Sequence, residues 1–242
     1  MSLGLQHHTI FQSLIPAKPM YLTKTLRKIS DNRLSDSFAS KMRMKRFALF
    51  NFFIRELNRP IRILDVGGTQ EFWEKTDLIG KSDIEITLVN LAREVAPYTN
   101  IVSVIGDAKN LQQFKDKEFD IVFSNSVIEH LGEYDHQYQA ANEIMRVGKR
   151  YFVQTPNKYF PLEPHFLFPF FQFLPLLCKV LLVRHFNFGW YRGPNRENEA
   201  RLIRLLTEKE LKKMFPAGTI YREKILGLTK SFIVYGGGNP TL

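Results

Sequence analysis

Short apolar runs punctuate the middle of the chain, each closed by polar or glycine-bearing residues. Ile61, Ile63, Leu64 and Val66 make the first, within PIRILDVGGTQEFW (60–73), which runs on into an acidic residue, two glycines and a polar turn. Such runs read as buried parallel strands, and glycine at the carboxyl end permits a tight turn and close approach of a ligand. Further strands are expected at 84–91, 101–105, 119–124 and 151–154, with two more at 219–224 and 231–235. Helical signals fall between them: 70–78, 109–114 behind Asp107 as an N-cap, 134–147 stopped by Gly148, and 199–206. A last helix starts at Thr207, with Glu210 at capping-box spacing. This alternation predicts an α/β fold, a doubly wound and mostly parallel sheet. Open sheets of this kind bind ligands outside the carboxyl ends of their strands, which puts the candidate site just after residue 66.

The flanks read differently. Residues 1–34 lack sustained periodicity and are expected to form an arm or irregular cover, with a short helix at 22–29. Ser35, Asp36 and Ser37 offer N-caps for a helix to about residue 57, whose apolar positions Phe38, Met42, Phe47, Phe50, Phe53, Ile54 and Leu57 are only partly regular. Lys41, Arg43, Lys45 and Arg46 crowd its first half. They are expected to be solvated over a core-packed helix; the rival reading is a basic surface for anionic lipid or RNA phosphates.

Residues 156–190 are dense in phenylalanine and leucine, and Pro161, Pro164, Pro169 and Pro175 preclude one straight helix. The stretch 166–183 is nearly long enough to cross a bilayer, but it holds Gln172, Lys179 and two prolines. Crossing would also sever the sheet from its last strands, so a transmembrane span is rejected. A helical apolar lid over an acceptor pocket is the first reading, membrane-interface contact the second and a dimer face the third. The expected organisation is 1–58 as a basic arm and helix covering the core, and 59–242 as the ligand-binding domain, with 156–206 as its lid and acceptor region.

Composition narrows this picture in three ways. With 242 residues, 44% hydrophobic and 24% charged, the chain suits one α/β domain with a substantial core. The single cysteine, Cys178, excludes an intrachain disulfide framework and a multi-cysteine metal site. Together with the absence of a recognisable signal peptide, it leads us to expect a cytoplasmic protein, in one version peripheral at the inner membrane face. A net charge of +10 favours polyanionic partners or a membrane surface, although an enzyme that is merely basic is the more economical reading.

The strand–Asp-x-Gly turn, ITLVNL (86–91), VIGDAKNL (104–111) and FDIVFSNSVIEHL (119–131) together resemble the class I S-adenosylmethionine-dependent methyltransferases. QTPNKYFPLEPHF (154–166) and LGLTKSFIVYGG (226–237) look like one bacterial branch that acts on small molecules. The resemblance implies a Rossmann-like methyltransferase fold, a seven-stranded sheet closed by a final antiparallel hairpin. It also implies S-adenosylmethionine as cofactor. Asp65 would stand near the amino-acid end of that cofactor, where Gly67 and Gly68 admit close backbone approach. Thr69 and Glu71 occupy the family's second and third glycine positions. Asn90 stands where the family places a ribose-binding acid, with Glu94 as a substitute; alternatively Asn90 caps a following helix. Asp107 and Ala108 would meet adenine, unless Asp107 is an ordinary cap. Asn125 joins the cofactor set at the end of the fourth strand.

Methyl transfer to a hydroxyl needs alignment, desolvation and removal of a proton. His130 and His165 are the candidate bases, because imidazole titrates near neutrality; Glu129 follows, then Glu163. The competing reading for each histidine is a hydrogen-bonded structural residue. No metal ligand set is assigned: the Glu129-His130 and Glu163-His165 pairs would hold a divalent ion only if the fold brought them together. The function expected is methyl transfer, at oxygen, to a small-molecule or lipid- or glycan-linked acceptor. The alternatives are an RNA methyltransferase, suggested by the basic amino-terminal region, and a catalytically inactive cofactor-fold scaffold, suggested by the missing glycines and Asn90.

Overall fold

The structure, a computed structural model, describes residues 38–186, 189–190 and 196–237. The arm at 1–34, its short helix at 22–29 and the caps at 35–37 lie outside the described residues.

The chain opens with α1 (Phe38–Arg55) and then enters β1 (Ile61–Val66), whose alternate side chains are buried on both faces. β2 (Ile84–Asn90), β3 (Ile101–Ile105), β4 (Phe119–Asn125) and β5 (Gly148–Pro156) run parallel to it. β8 (Thr219–Ile225) and β9 (Leu228–Gly236) form a closing hairpin, and β9 lies antiparallel to both β5 and β8. The sheet order is β3-β2-β1-β4-β5-β9-β8. This is the seven-stranded, mostly parallel sheet expected. Order reverses between β1 and β4, so their carboxyl ends open the crevice in which doubly wound sheets bind ligands.

Each face of the sheet has its own core. On one, Phe47, Phe50 and Ile54 of α1 pack on Ile61, Ile63, Ile86 and Phe123. Phe50 is fully buried, with its ring 4.8 Å from Phe123, 5.4 Å from Phe152 and 6.1 Å from Trp73. Truncating such a side chain to alanine costs about 3–5 kcal/mol. On the other face, Ala141, Ile144 and Val147 of α3 (Tyr134–Val147) pack with Leu211 and Met214 of α6 (Glu208–Met214). Helix α6 starts at the predicted capping box: Glu210 N donates to Thr207 Oγ1, and Thr207 N donates to Glu210 Oε2.

Several expected elements are corrected. The helix at 70–78 shortens to α2 (Gln70–Trp73), and 199–206 becomes α5 (Arg196–Leu202). Residues 109–114 form turns instead of a helix, because the Asp107 carboxylate and carbonyl take the amides of Lys109 and Asn110. No helix follows β2 either; 91–100 is irregular, so Asn90 is not a helix cap.

The phenylalanine-rich segment also divides differently from a simple lid. It contains the two-residue strands β6 (Leu162–Glu163) and β7 (Phe168–Pro169), a 3-10 turn Phe171–Phe173, and α4 (Leu176–His185). Phe166, Phe171 and Val183 form a small core with Ala200 of α5. Phe168 is half-buried, whereas Phe170, Phe173, Leu176 and Leu177 are exposed, Leu177 at 70%. Half of this apolar density is therefore core, and half is outward surface. Among the described residues, no helix is long and apolar enough to cross a membrane.

Candidate active site

The β1 strand delivers Asp65 and the glycine turn to the sheet's carboxyl edge. Gly67 has a positive φ of 75°, and its amide donates to Val89 O at 2.9 Å, tying the turn to β2. A Cβ at Gly68 would lie 1.6 Å from Asp65 Oδ2, so residue 68 must be glycine for the carboxylate to stand where it does. Asp65 is fully buried; Trp73 Nε1 donates to its Oδ2 at 2.6 Å, while Oδ1 has no hydrogen-bond partner among the described residues. Burial pushes its pKa up to about 7, against the opposing bond from Trp73. An orphaned buried carboxylate oxygen is costly, and it is the kind of group that a ligand cation satisfies.

Asp65 lines an open cleft of about 620 Å³ with Gly67, Gly68, Phe72, Arg43 and Asn125 among its walls. Arg43 brings the positive charge of α1 to this cleft, 5.9 Å from the centre of the Phe72 ring. Burial, then the neighbouring Arg46, pulls the Arg43 pKa down.

A ladder of hydrogen bonds aligns the other predicted cofactor residues along the same edge. Asn90 Nδ2 donates to Gly68 O at 2.8 Å, and Gly106 N donates to Asn90 O at 2.8 Å, which sets Asp107 just beyond. Asn90 and Asp107 do not line the cleft itself. Ala108 packs partly against the core, and Glu94, half-buried, receives Ser103 Oγ as acceptor for its backbone N–H.

The predicted proton-transfer residues do converge. β4 runs into Ser126, which holds a left-handed φ of 57°, and then a 3-10 turn, Ile128–His130. This strained turn at a strand end carries Glu129 and His130 toward the loop bearing His165. Glu129 is fully buried: Oε2 accepts from Thr155 Oγ1 at 3.0 Å, and Oε1 lies 3.9 Å from His165 Nε2. His165 Nδ1 bonds Glu163 Oε1 at 2.7 Å, and Glu163 Oε2 accepts the amides of His165 and Phe166. The His130 and His165 rings meet edge-on, 4.8 Å apart, and His130 Nδ1 lies 3.8 Å from Glu199.

These neighbours divide the histidines. Burial, then the cationic field of His165, drives His130 down to about 4. Burial also opposes charge on His165, but the bond to Glu163 and the fields of Glu163 and Glu129 outweigh it and raise its pKa. Glu129 is raised by burial. Near neutrality His130 is the uncharged member, and His165 bridges two glutamates. The fold brings members of the two Glu-His pairs together: Glu129, His130 and His165 each offer a ligand atom, and these lie within 4.8 Å of one another.

Several residues at this edge are not assigned to the site by the sequence. Arg46 is buried, with Nε and Nη2 bonded to Glu223 at 3.2 and 2.8 Å and Nη1 donating to Asn125 Oδ1. It is not a solvated surface charge. A signal was present: Met42, Arg46, Phe50 and Ile54 fall on one i, i+4 stripe, and all four are buried. Thr155, Glu199 and Glu223 carried no comparable signal, since each depends on contacts between distant segments.

Residues 67–151 match the family described as a methyltransferase domain. An uncharacterized protein of Mycobacterium tuberculosis (strain H37Rv) is 38% identical over 66 residues, 27% of this chain and 22% of that protein, so the match spans about a fifth of the relative's length. Among solved structures, the CurJ carbon methyltransferase superposes with a TM-score of 0.50 at 12% identity, over 88% of this chain and 57% of that one. A SAM-dependent methyltransferase from Methanosarcina mazei gives 0.47 at 14% identity, over 76% and 95%. Residues 67–151 thus match the methyltransferase-domain family, and they lie on a sheet with the Rossmann-like methyltransferase architecture.

Proposed function

We propose that the chain is an S-adenosylmethionine-dependent methyltransferase acting on an oxygen of a small-molecule acceptor, or of a lipid- or glycan-linked one. The observation that carries this reading is the orphaned Asp65 Oδ1, buried beneath Gly68 at the switch point of the sheet. It fits the ammonium of the cofactor's amino-acid end, and Arg43 in the same cleft suits the carboxylate of that end. Asn90 and Asp107 extend the edge for the ribose and adenine, with Gly67, Ala108 and Asn125 completing the set. When bound, the sulfonium supplies an activated methyl group. The chain's residues orient the two reactants, exclude water and take the acceptor proton.

On this reading 59–242 is the catalytic domain, 1–58 its cover, and 156–206 the acceptor region. The exposed Phe170, Phe173, Leu176 and Leu177 favour an acceptor with an apolar part, met at a membrane face. Lys158 and Lys179, lining a cleft of about 470 Å³ behind this surface, suit an anionic head group.

Isothermal titration with S-adenosylhomocysteine tests the cofactor assignment. The wild type should bind and Asp65→Ala should bind at least about tenfold more weakly, matching the loss of a charge-assisted bond. Absence of heat with a folded chain would sink the enzyme reading in favour of an inactive scaffold. Co-sedimentation with anionic liposomes tests the acceptor surface, and light scattering reports whether the same face instead pairs two copies.

A further inference from the structure

The Glu129–His130–His165 cluster has the shape of a metal centre. Its donors come from two segments: the 3-10 turn after β4 and the loop after β6. The separation of 3.9 Å between Glu129 Oε1 and His165 Nε2 is too long for a hydrogen bond. It exceeds by about half an ångström the ~3.4 Å between two ligand atoms on one tetrahedral ion, so a small side-chain closure would seat the metal. Glu129 Oε1 is wholly buried and has no hydrogen-bond partner among the described residues, although Oε2 of the same carboxylate is held by Thr155. A fully packed ion-pair network would satisfy both oxygens.

The surroundings match what metal sites require beyond their ligands. His165 Nδ1 is bonded to Glu163, and Glu163 is fixed by two backbone amides, so the ring is oriented with Nε2 toward Glu129. Carboxylates placed behind ligating histidines in this way set the tautomer and the direction of the ring. His130 Nδ1 lies 3.8 Å from Glu199, and the His130 side chain is 31% exposed, which gives the cluster its opening to solvent. Two imidazoles and one carboxylate suit first-row divalent ions such as zinc, manganese or iron, and suit magnesium or calcium poorly.

We propose that Glu129, His130 and His165 bind one divalent transition-metal ion, with Glu163 as a positioning residue for His165. Three protein ligands leave coordination positions open at the His130 side. Glu129 and His130 follow Asn125, a wall of the cofactor cleft, on the same strand-end loop. An acceptor oxygen is the ligand suited to the open position; that role, unlike metal binding itself, rests on the methyltransferase reading.

The test uses the full chain, stripped with a chelator and dialysed, without cofactor or acceptor. Titration with zinc should give one site per chain, and cobalt should give a visible absorption band at the same stoichiometry. His130→Ala, at a partly exposed position, should remove the band and the metal-induced rise in melting temperature while the apo chain stays folded. Glu163→Gln should weaken binding by roughly 10–100-fold, as loss of an outer carboxylate does. The sequence also carries an adjacent histidine pair, His7-His8, outside the cluster, and His7→Ala/His8→Ala should leave stoichiometry and affinity unchanged. Absence of stoichiometric metal, equal binding in wild type and His130→Ala, or loss of binding only in the His7/His8 variant would each overturn the proposal. S-adenosylhomocysteine titration of the apo chain reads the cofactor assignment separately, so failure of one is not mistaken for failure of the other.

Discussion

Asp65→Asn isolates the electrostatic strain at the centre of the cofactor cleft. In the folded chain the Asp65 carboxyl is raised from 3.8 to about 7 by burial. Below pH ~4 it is protonated in both folded and unfolded chains and contributes no pH dependence. Between pH ~4 and ~7 the unfolded chain releases this proton and the folded chain keeps it, so stability falls as pH rises; above pH ~7 the loss is complete. At about 1.4 kcal/mol per pH unit the full effect is about 4 kcal/mol. Asparagine keeps an acceptor for Trp73 Nε1 and does not ionise. Its amide nitrogen lacks a partner at the Oδ1 position, a pH-independent cost of about 1–3 kcal/mol. Urea unfolding followed by tryptophan fluorescence, in half-unit steps from pH 4.5 to 8, gives the difference in stability between the two chains. It should shift in favour of the variant by about 3 kcal/mol across that range, the rest of the effect lying below pH 4.5, and level off above pH ~7. Affinity for S-adenosylhomocysteine should be lower in the variant at pH 8. Parallel stability curves would refute the claim that Asp65 is held protonated by burial.

Asn90→Asp would set a carboxylate against Gly68 O in place of the bond that Asn90 Nδ2 donates, and should destabilise the glycine turn by about 1–3 kcal/mol and weaken cofactor binding in titration. Glu223→Ala should leave Arg46 buried and uncompensated, at about 3–5 kcal/mol by urea unfolding, whereas Arg46→Met with Glu223→Leu should recover most of that loss. Phe173→Ser with Leu177→Ser, both at exposed positions, should change the melting temperature little while reducing co-sedimentation with anionic liposomes. Phe171→Ser, at a buried position in the same segment, should instead lower the melting temperature.

The sheet was legible because its strands are continuous apolar runs, a pattern imposed by burial on both faces. The Asp65 and Gly67-Gly68 turn was legible for the same reason, since it directly ends such a run. Elements whose form depends on local side-chain competition were not. Asp107 and Asn110 turn the chain where a helix was expected, and the segment after Asn90 stays irregular. Within the site, Glu129, His130 and His165 could be named as chemistry-bearing residues, but 35 residues separate His130 from His165 in sequence, and only the crossing of their loops brings the rings together. Arg46 was misread because a cation on an apolar stripe looks like a surface charge until its partner, 177 residues away, is known.

That last separation bears on the order in which the molecule can be completed. During synthesis α1 leaves the ribosome early, and Glu223 follows only after nearly all the other strands have emerged. Until then Arg46 has no carboxylate to receive it, and the edge of β5 awaits β9, which later fills the space between β5 and β8. The buried ion pair one turn along α1 from Arg43, which lines the cofactor cleft, therefore forms only when the closing hairpin docks. A nascent chain released before residue 223 would carry the whole glycine turn and the histidine cluster, yet would leave Arg46 of α1 without its carboxylate.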